Sequence, residues 1–141
     1  MRFLVGFCRS DRASSAVEFA LLTPVFLLML MGMLAYGIYF GAANSIQQLA
    51  ADAARVSISG LNQTERNTLV KRYLDNNADQ YMLIERALLS YTIGDKPTDP
   101  TQYAVTLGYD ASQLPIWNLY LPLPLPSKQI SFSSTIRKGG I

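Results

Sequence analysis

The pattern of apolar and polar positions divides the chain sharply. Between Glu18 and Asp52 no side chain carries a charge, and from Phe19 to Ala43 the clearly polar side chains are Thr23, Tyr36 and Tyr39. As a helix this run is about 37 Å long at roughly 1.5 Å per residue, against a bilayer hydrocarbon core about 30 Å thick. Backbone groups in lipid must be bonded within their own segment, so a span of this kind is helical. Two other readings compete. A cleaved secretory signal has an apolar core of about 7–15 residues, shorter than this run, although Gly41-Ala42-Ala43 resembles a small-residue cleavage site. A buried core helix would need more chain to wrap it than the residues after Ala43 supply. The pattern therefore predicts a transmembrane helix over 14–43.

Beyond the span the period stays helical. Ile46, Leu49, Ala50, Ala53, Ala54 and Val56 hold one face, while Gln47, Gln48, Asp52 and Arg55 hold others. Gly60 is a natural stop. This extends the same helix as an amphipathic stalk over 44–60. Asn62 followed by Glu65 reads as a capping box, opening a short helix to about Asn76 with Leu69, Val70, Tyr73 and Leu74 on one side. Arg66, Lys71 and Arg72 then fall on a solvated face. Leu88–Ile93, Tyr103–Tyr109 and Gln129–Ile136 are rich in aromatic and β-branched residues and read as strands. Gly94 to Pro100 reads as a turn, and Met82 to Leu89 is ambiguous between helix and strand. Leu114 to Pro126 carries four prolines, which bar it from regular helix or strand. It is either a loop folded over the core or an apolar contact surface for a partner or the membrane interface, with Trp117 at its centre. The expected fold is α+β: a long N-terminal helix, a short second helix and a small antiparallel three-stranded sheet in a domain over 61–141.

Composition and charge narrow the function. Charged residues make up 16% of the chain, below the quarter or so usual in soluble domains, and the deficit lies in the apolar run. A net charge of +2 without a basic patch gives no reason to expect a nucleic-acid partner. The chain has no histidine and a single cysteine, Cys8, so the commonest general base, the commonest metal ligand and an internal disulfide are all missing. Cys8 before an apolar run suggests a lipoprotein anchor, but Leu4-Val5-Gly6-Phe7 fits that signal poorly. Asp95, Asp99 and Asp110 lie in or near turns and read as turn formers. No catalytic constellation, cofactor site or metal site is expected. Arg2, Arg9 and Arg12 precede the span, and Arg55 alone follows within twenty residues. Positive flanks stay cytoplasmic, which places the N-terminus inside and the remainder outside.

Glu18 stands at the mouth of the span, with Ala16, Val17, Phe19 and Ala20 around it. As a first-turn acid it gains about 0.3–1 kcal/mol from the helix dipole; as a carboxylate against hydrocarbon it is a functional candidate. Pro24 removes one backbone donor inside the span, which in a membrane helix gives a kink rather than a break. Gly37, Gly41 and Ser45 recur every four residues, a small-residue ridge of the kind that lets helices approach closely in lipid.

The segment RSDRASSAVEFALLTPVFLLMLMG resembles the N-terminus of the TadE-like proteins, pseudopilins or minor pilins of the tight-adherence (Tad, Flp-type) pilus system. The likeness rests on the basic leader ending at Arg12, Ala13, four small or apolar residues, Glu18-Phe19, and Pro24 six residues on. It continues in Gln47-Gln48-Leu49-Ala50 and Ala53-Ala54-Arg55, and more weakly in Tyr103-Ala104-Val105-Thr106-Leu107 and Ile130 to Arg137. The resemblance implies a cytoplasmic leader over 1–13, cut between Ala13 and Ser14 by a prepilin peptidase. Ala13 departs from the glycine usual before such a cut. Cleavage would leave nine basic and nine acidic residues and a new ammonium at Ser14 that pairs with Glu18, within the chain or on a neighbour, offsetting the cost of burying either charge. The implied partners are other pilins or pseudopilins, inner-membrane pilus assembly proteins, the peptidase and the membrane. The alternative is an uncleaved single-pass anchor or adaptor with an external protein-binding domain.

Overall fold

In the computed structural model, residues 11–119, 122 and 124–138 are described; Cys8, Arg2, Arg9 and the first ten residues of the expected leader lie outside them. The chain begins with one helix, α1 (Asp11–Val56), continued by a 3₁₀ turn at Ser57–Ser59. Gly60 ends it, as its position after the last apolar repeat predicts, but not by a left-handed turn: its backbone is extended, at φ −80°. The glycine is required by proximity. A Cβ at Gly60 would meet the Arg66 Cγ at 2.6 Å and the Arg66 backbone nitrogen at 2.8 Å.

The second helix, α2 (Gln63–Asn77), starts at the expected cap. The Asn62 side chain accepts from the Glu65 backbone N–H at 2.9 Å, and the Glu65 carboxylate accepts from the Leu61 N–H at 2.8 Å, so two otherwise orphaned donors are satisfied. Val70 and Leu74 are buried, with Leu69 and Tyr73 partly so; Lys71 and Arg72 are exposed, whereas Arg66 is partly covered.

A three-stranded antiparallel sheet of order β1-β2-β3 follows, with β1 at Leu89–Lys96, β2 at Asp99–Asp110 and β3 at Gln129–Arg137. β1 and β2 run further than the sequence signals suggest, because the ladder carries on through the expected turn. Gly94 at φ +156° and a register shift between Asp95 and Lys96 let the strands reach a tight reversal at Pro97-Thr98. The ambiguous stretch before β1 is a loop ending in a 3₁₀ turn at Arg86–Leu88.

The sheet has two unlike faces. Tyr103, Val105, Leu107 and Tyr109 of β2 and Ile130 of β3 are buried against the helices. The opposite face carries Ser90 and Thr92, Thr106, Ser133 and Thr135, tied by hydrogen bonds from Thr106 to Ser133 Oγ at 2.9 Å and from Ser90 to the Gly108 carbonyl at 3.0 Å. The core therefore lies between the sheet and the C-terminal half of α1, where Ala35, Ala42, Ile46, Leu49, Ala50, Ala53 and Ala54 are buried. Alanines along this seam let α1 sit close to its neighbours, while Ile46 and Leu49 fill the space between. The fold is the α+β arrangement expected.

The proline-rich segment departs from expectation. Pro115–Leu119 forms a 3₁₀ helix. Proline is barred from the interior of an α-helix, but Pro115 occupies the first position of this turn, where no backbone donor is needed. Ile116 is fully buried and Trp117 half-buried; the Trp117 indole N–H donates to the Ala111 carbonyl at 2.6 Å.

Candidate functional site

The residues singled out in the sequence lie along α1, and the helix treats its two ends differently. From Val17 to Leu34 the large apolar side chains point outward: Phe19 is 73% exposed, and Leu21, Leu22, Val25, Phe26 and Leu27 are likewise uncovered. Only 6% of the helix's most apolar window is buried within the chain. A core helix of a soluble fold would be covered there; this one fits a single-pass membrane protein.

The helical backbone runs through Ala13 and Ser14, whose side chains lie outside the described residues. Glu18 and Phe19 are exposed on the first turns, and Pro24 sits inside the helix without ending it. The Thr23 hydroxyl donates to the Phe19 carbonyl at 2.6 Å. Pro24 lacks the N–H that would reach the Ala20 carbonyl; the Thr23 hydroxyl bond falls one carbonyl earlier, adding a second donor at Phe19 rather than replacing the one the proline lacks.

The Gly37, Gly41 and Ser45 ridge is split by the domain. Gly37 faces open space, with nothing within 4 Å of an added Cβ. A Cβ at Gly41 would lie 3.6 Å from Leu83 Cδ1, and Ser45 is 8% exposed. Four-residue spacing advances about 40° around a helix per step, so the ridge winds from the free side of α1 to its covered side. Gly41 and Ser45 pack inside the chain, while Gly37 is open to a second helix.

Two loops reach this level of α1, and sequence reasoning missed both contacts. Tyr36 donates its hydroxyl to the Pro124 carbonyl at 2.6 Å. Leu83, at φ +64°, is the non-glycine residue with left-handed backbone among the described residues, a conformation that costs about 1–2 kcal/mol for a branched side chain. Its neighbours hold it there. The Tyr109 hydroxyl donates to the Leu83 carbonyl at 3.0 Å, and Tyr81 donates to Asp52 of α1 at 2.8 Å while lying 2.9 Å from the Tyr73 hydroxyl. Asp52 also pairs with Arg55 at 2.6 Å. A single sequence gives no sign of this loop, since neither glycine nor asparagine marks the left-handed position.

Three tyrosines of the domain, Tyr81, Tyr103 and Tyr109, resist ionisation. Burial, then the hydrogen bonds with Tyr73 and Asp52, pushes the Tyr81 hydroxyl far up. Burial pushes Tyr103 up to about 12 and raises Tyr109. Asp99 and Asp110 are lowered, mainly by hydrogen bonds from Thr101 and Ser112 respectively. Both carboxylates bind the backbone two residues on, at 3.0 Å in each case. They act as the turn formers their positions suggest.

The comparisons with known proteins agree with the helix. The model of the TadE-like protein family matches residues 13–55, the stretch from the expected cut through the buried alanine seam. No curated protein and no solved structure matches the chain.

Proposed function

We propose, taking as premise that the chain is TadE-like over residues 13–55, that it is a minor pilin or pseudopilin that works in assembly of a Tad-type pilus at the inner membrane. The family itself suggests a role linked to the Tad pilus, and TadE-like pilus proteins are structural rather than catalytic. The observation that carries the finer reading is the bare apolar helix from Val17 to Leu34, joined without a break to a small α+β domain. In this reading residues 14–43 cross the membrane, the leader over 1–13 faces the cytoplasm, and the domain lies outside. A prepilin peptidase cuts between Ala13 and Ser14.

Glu18 then sits one turn from the new Ser14 ammonium, or opposite the ammonium of a neighbouring subunit. Pairing offsets the desolvation of both groups, and a subunit out of register leaves one charge unmatched in a low dielectric. Phe19, Pro24 and the open side of Gly37 offer apolar surface to neighbouring subunits and to the inner-membrane assembly proteins.

The reading is tested at two points. Mass spectrometry of the membrane-extracted protein should find a chain beginning at Ser14; an intact Met1 terminus would instead favour the uncleaved anchor or adaptor, for which Ala13 in place of glycine is the supporting feature. Co-purification with pilus components should fall on Glu18→Ala, and wild-type recovery of the complex would remove the carboxylate from the mechanism.

A further inference from the structure

Phe19 to Leu34, the uncovered run of α1, rises about 24 Å at roughly 1.5 Å per residue, short of a hydrocarbon core about 30 Å thick. The deficit is about one helical turn, and tilt only enlarges it. Hydrocarbon that begins beside Phe19 therefore extends past Leu34, to the level of Ile38 and beyond. At that level the helix is no longer bare. Ala35 and Ala42 are fully buried by the chain's own domain, and Tyr36 is bonded to Pro124. One end of the domain must share the bilayer with the helix.

That end has the composition such a position needs. β2 runs along the domain from Tyr103, bonded to Asn67 of α2, to Tyr109, bonded to Leu83. The far end carries Arg66, Asp95, Lys96, Asp99, Arg137 and Lys138. At the near end, residues 111–127 contain no charge at all, nor do Tyr81 to Ile84. The two uncharged segments approach α1 at adjacent levels, Pro124 at Tyr36 and Leu83 at Gly41. Apolar side chains remain uncovered there: Met82 is 72% exposed and Phe40 is 58% exposed. Tyr36 and Tyr39 flank Phe40 with ring centroids 6.2 and 6.1 Å away. Lys128 lies over the Trp117 ring at 5.2 Å from its centroid. Amphipathic rings with a neighbouring ammonium are the composition found where hydrocarbon meets headgroups.

We propose that the 3₁₀ segment Pro115–Leu119 with Leu125, and the 81–84 loop that meets α1 at Gly41, form a lipid-facing seat that sinks the base of the domain into the headgroup layer of the leaflet on its side. Lipid covers Met82, Phe40 and the open edge of Trp117, and Lys128 reaches the phosphates. The left-handed backbone at Leu83 has a use in this arrangement, since it presents Met82 outward while Leu83 packs on Gly41. The seat fixes the domain's height and rotation above the membrane before any partner subunit engages. It rests on the membrane-spanning reading of α1.

Trp117 is the chain's single tryptophan, so its fluorescence reports the seat without mutation. The full chain is reconstituted into phosphatidylcholine vesicles carrying bromine at a shallow or a deep acyl position, and the quenching of the two is compared. Loss of Trp117 emission greater with shallow than with deep bromine is expected. A second protein, Phe26→Trp with Trp117→Phe, reports the span and should be quenched most by deep bromine. If Phe26→Trp is quenched by deep bromine while Trp117 is untouched by either lipid and open to an aqueous quencher, the seat is wrong and the span stands. If neither tryptophan is quenched by either lipid, the span itself fails. Should Trp117→Phe fold poorly, Phe26→Trp in the otherwise natural chain serves, read as the added deep quenching. Trp117 shielded from both lipid and aqueous quenchers would mean that a second copy covers the base, which also overturns the proposal.

Discussion

The two halves of α1 have the same secondary structure and opposite rules of burial. From Val17 to Leu34 the helix is built from Leu, Phe, Met and Val, and nearly all of them face outward. From Ala35 to Ala54 the residues that face the domain are mostly alanine, with Ile46 and Leu49 between them, and they are inaccessible. Bulk on the outside and smallness on the inside invert what a soluble helix would show. In the membrane-spanning reading the N-terminal half is large where it meets fluid lipid. The C-terminal half must be small where a sheet and a second helix close on it, because backbone proximity gains dispersion contacts along the whole seam. Hydropathy falls from one half to the other, but what puts the boundary at Leu34 rather than at Ala43 is where the chain itself supplies the cover.

The sharpest way to break the comparison is to delete the same side chain in both halves. Leu49→Ala empties a fully buried site and should cost about 2–5 kcal/mol of domain stability. Leu27→Ala removes the same atoms from an exposed site and should leave the domain's unfolding in detergent within about 0.5 kcal/mol of wild type. Denaturant unfolding followed by Trp117 fluorescence measures both, and equal costs would show that the bare half also packs on the domain.

A charge separates the halves in the other direction. Leu27→Lys places an ammonium near the middle of the apolar run and should disfavour insertion by about 2.5–3.5 kcal/mol. Gln48→Lys, on an exposed position of the covered half, should leave insertion unchanged. The membrane-integrated fraction after carbonate extraction reads the difference, and full integration of the Leu27→Lys protein would place residue 27 outside hydrocarbon.

The domain that clothes the second half is also sensitive to alkali, while the bare half carries nothing that titrates there. Tyr103 has its pKa pushed from 10.0 to about 12 by burial, so the neutral form is favoured in the folded state. Its contribution is complete below pH 10 and is lost as pH rises from 10 toward 12, amounting to on the order of 2 kcal/mol. Tyr81 and Tyr109 shift the same way. Unfolding midpoints should therefore fall across that window, and Tyr103→Phe should flatten the fall. A profile unchanged by Tyr103→Phe would show that this hydroxyl is not the one resisting ionisation.

Much of this was legible beforehand. The apolar run, the helical period through Ala53 and Ala54, the cap at Asn62 and the three strand segments are local patterns, and local physics writes them into sequence. That the sheet packs on the long helix was the simplest arrangement of these elements; what could not be read was which contacts close the domain on α1. The Gly37, Gly41 and Ser45 ridge looked like one surface; the domain covers Ser45 and brings Leu83 against Gly41, leaving Gly37 open. The left-handed backbone at Leu83 is stabilised by Tyr109, 26 residues away, and no neighbour in sequence announces it. The proline segment looked irregular because prolines forbid an α-helix, yet one proline at the start of a 3₁₀ turn is well placed. In each case the deciding contact joins residues distant in the chain. The capping prediction lies at the other extreme: Asn62→Ala should remove one side-chain acceptor and cost about 1 kcal/mol, a small and wholly local loss measurable by the same unfolding experiment.

The smallest effect is also the most discriminating, because it falls where the two halves meet. Gly37 has open space around an added Cβ, whereas Gly41 has Leu83 at ordinary contact distance. Glycine inside a helix costs about 0.5–1 kcal/mol relative to alanine, and nothing within the chain opposes the change at position 37. Gly37→Ala should therefore leave domain stability unchanged or raise it by less than about 1 kcal/mol. If the open side of Gly37 receives another helix, the same methyl holds the two backbones apart and crosslinked complexes in the membrane should decline while the isolated subunit gains. A gain in stability without a loss of complexes would mean that no helix seats against Gly37, and that the small residue there serves neither the domain nor a neighbour.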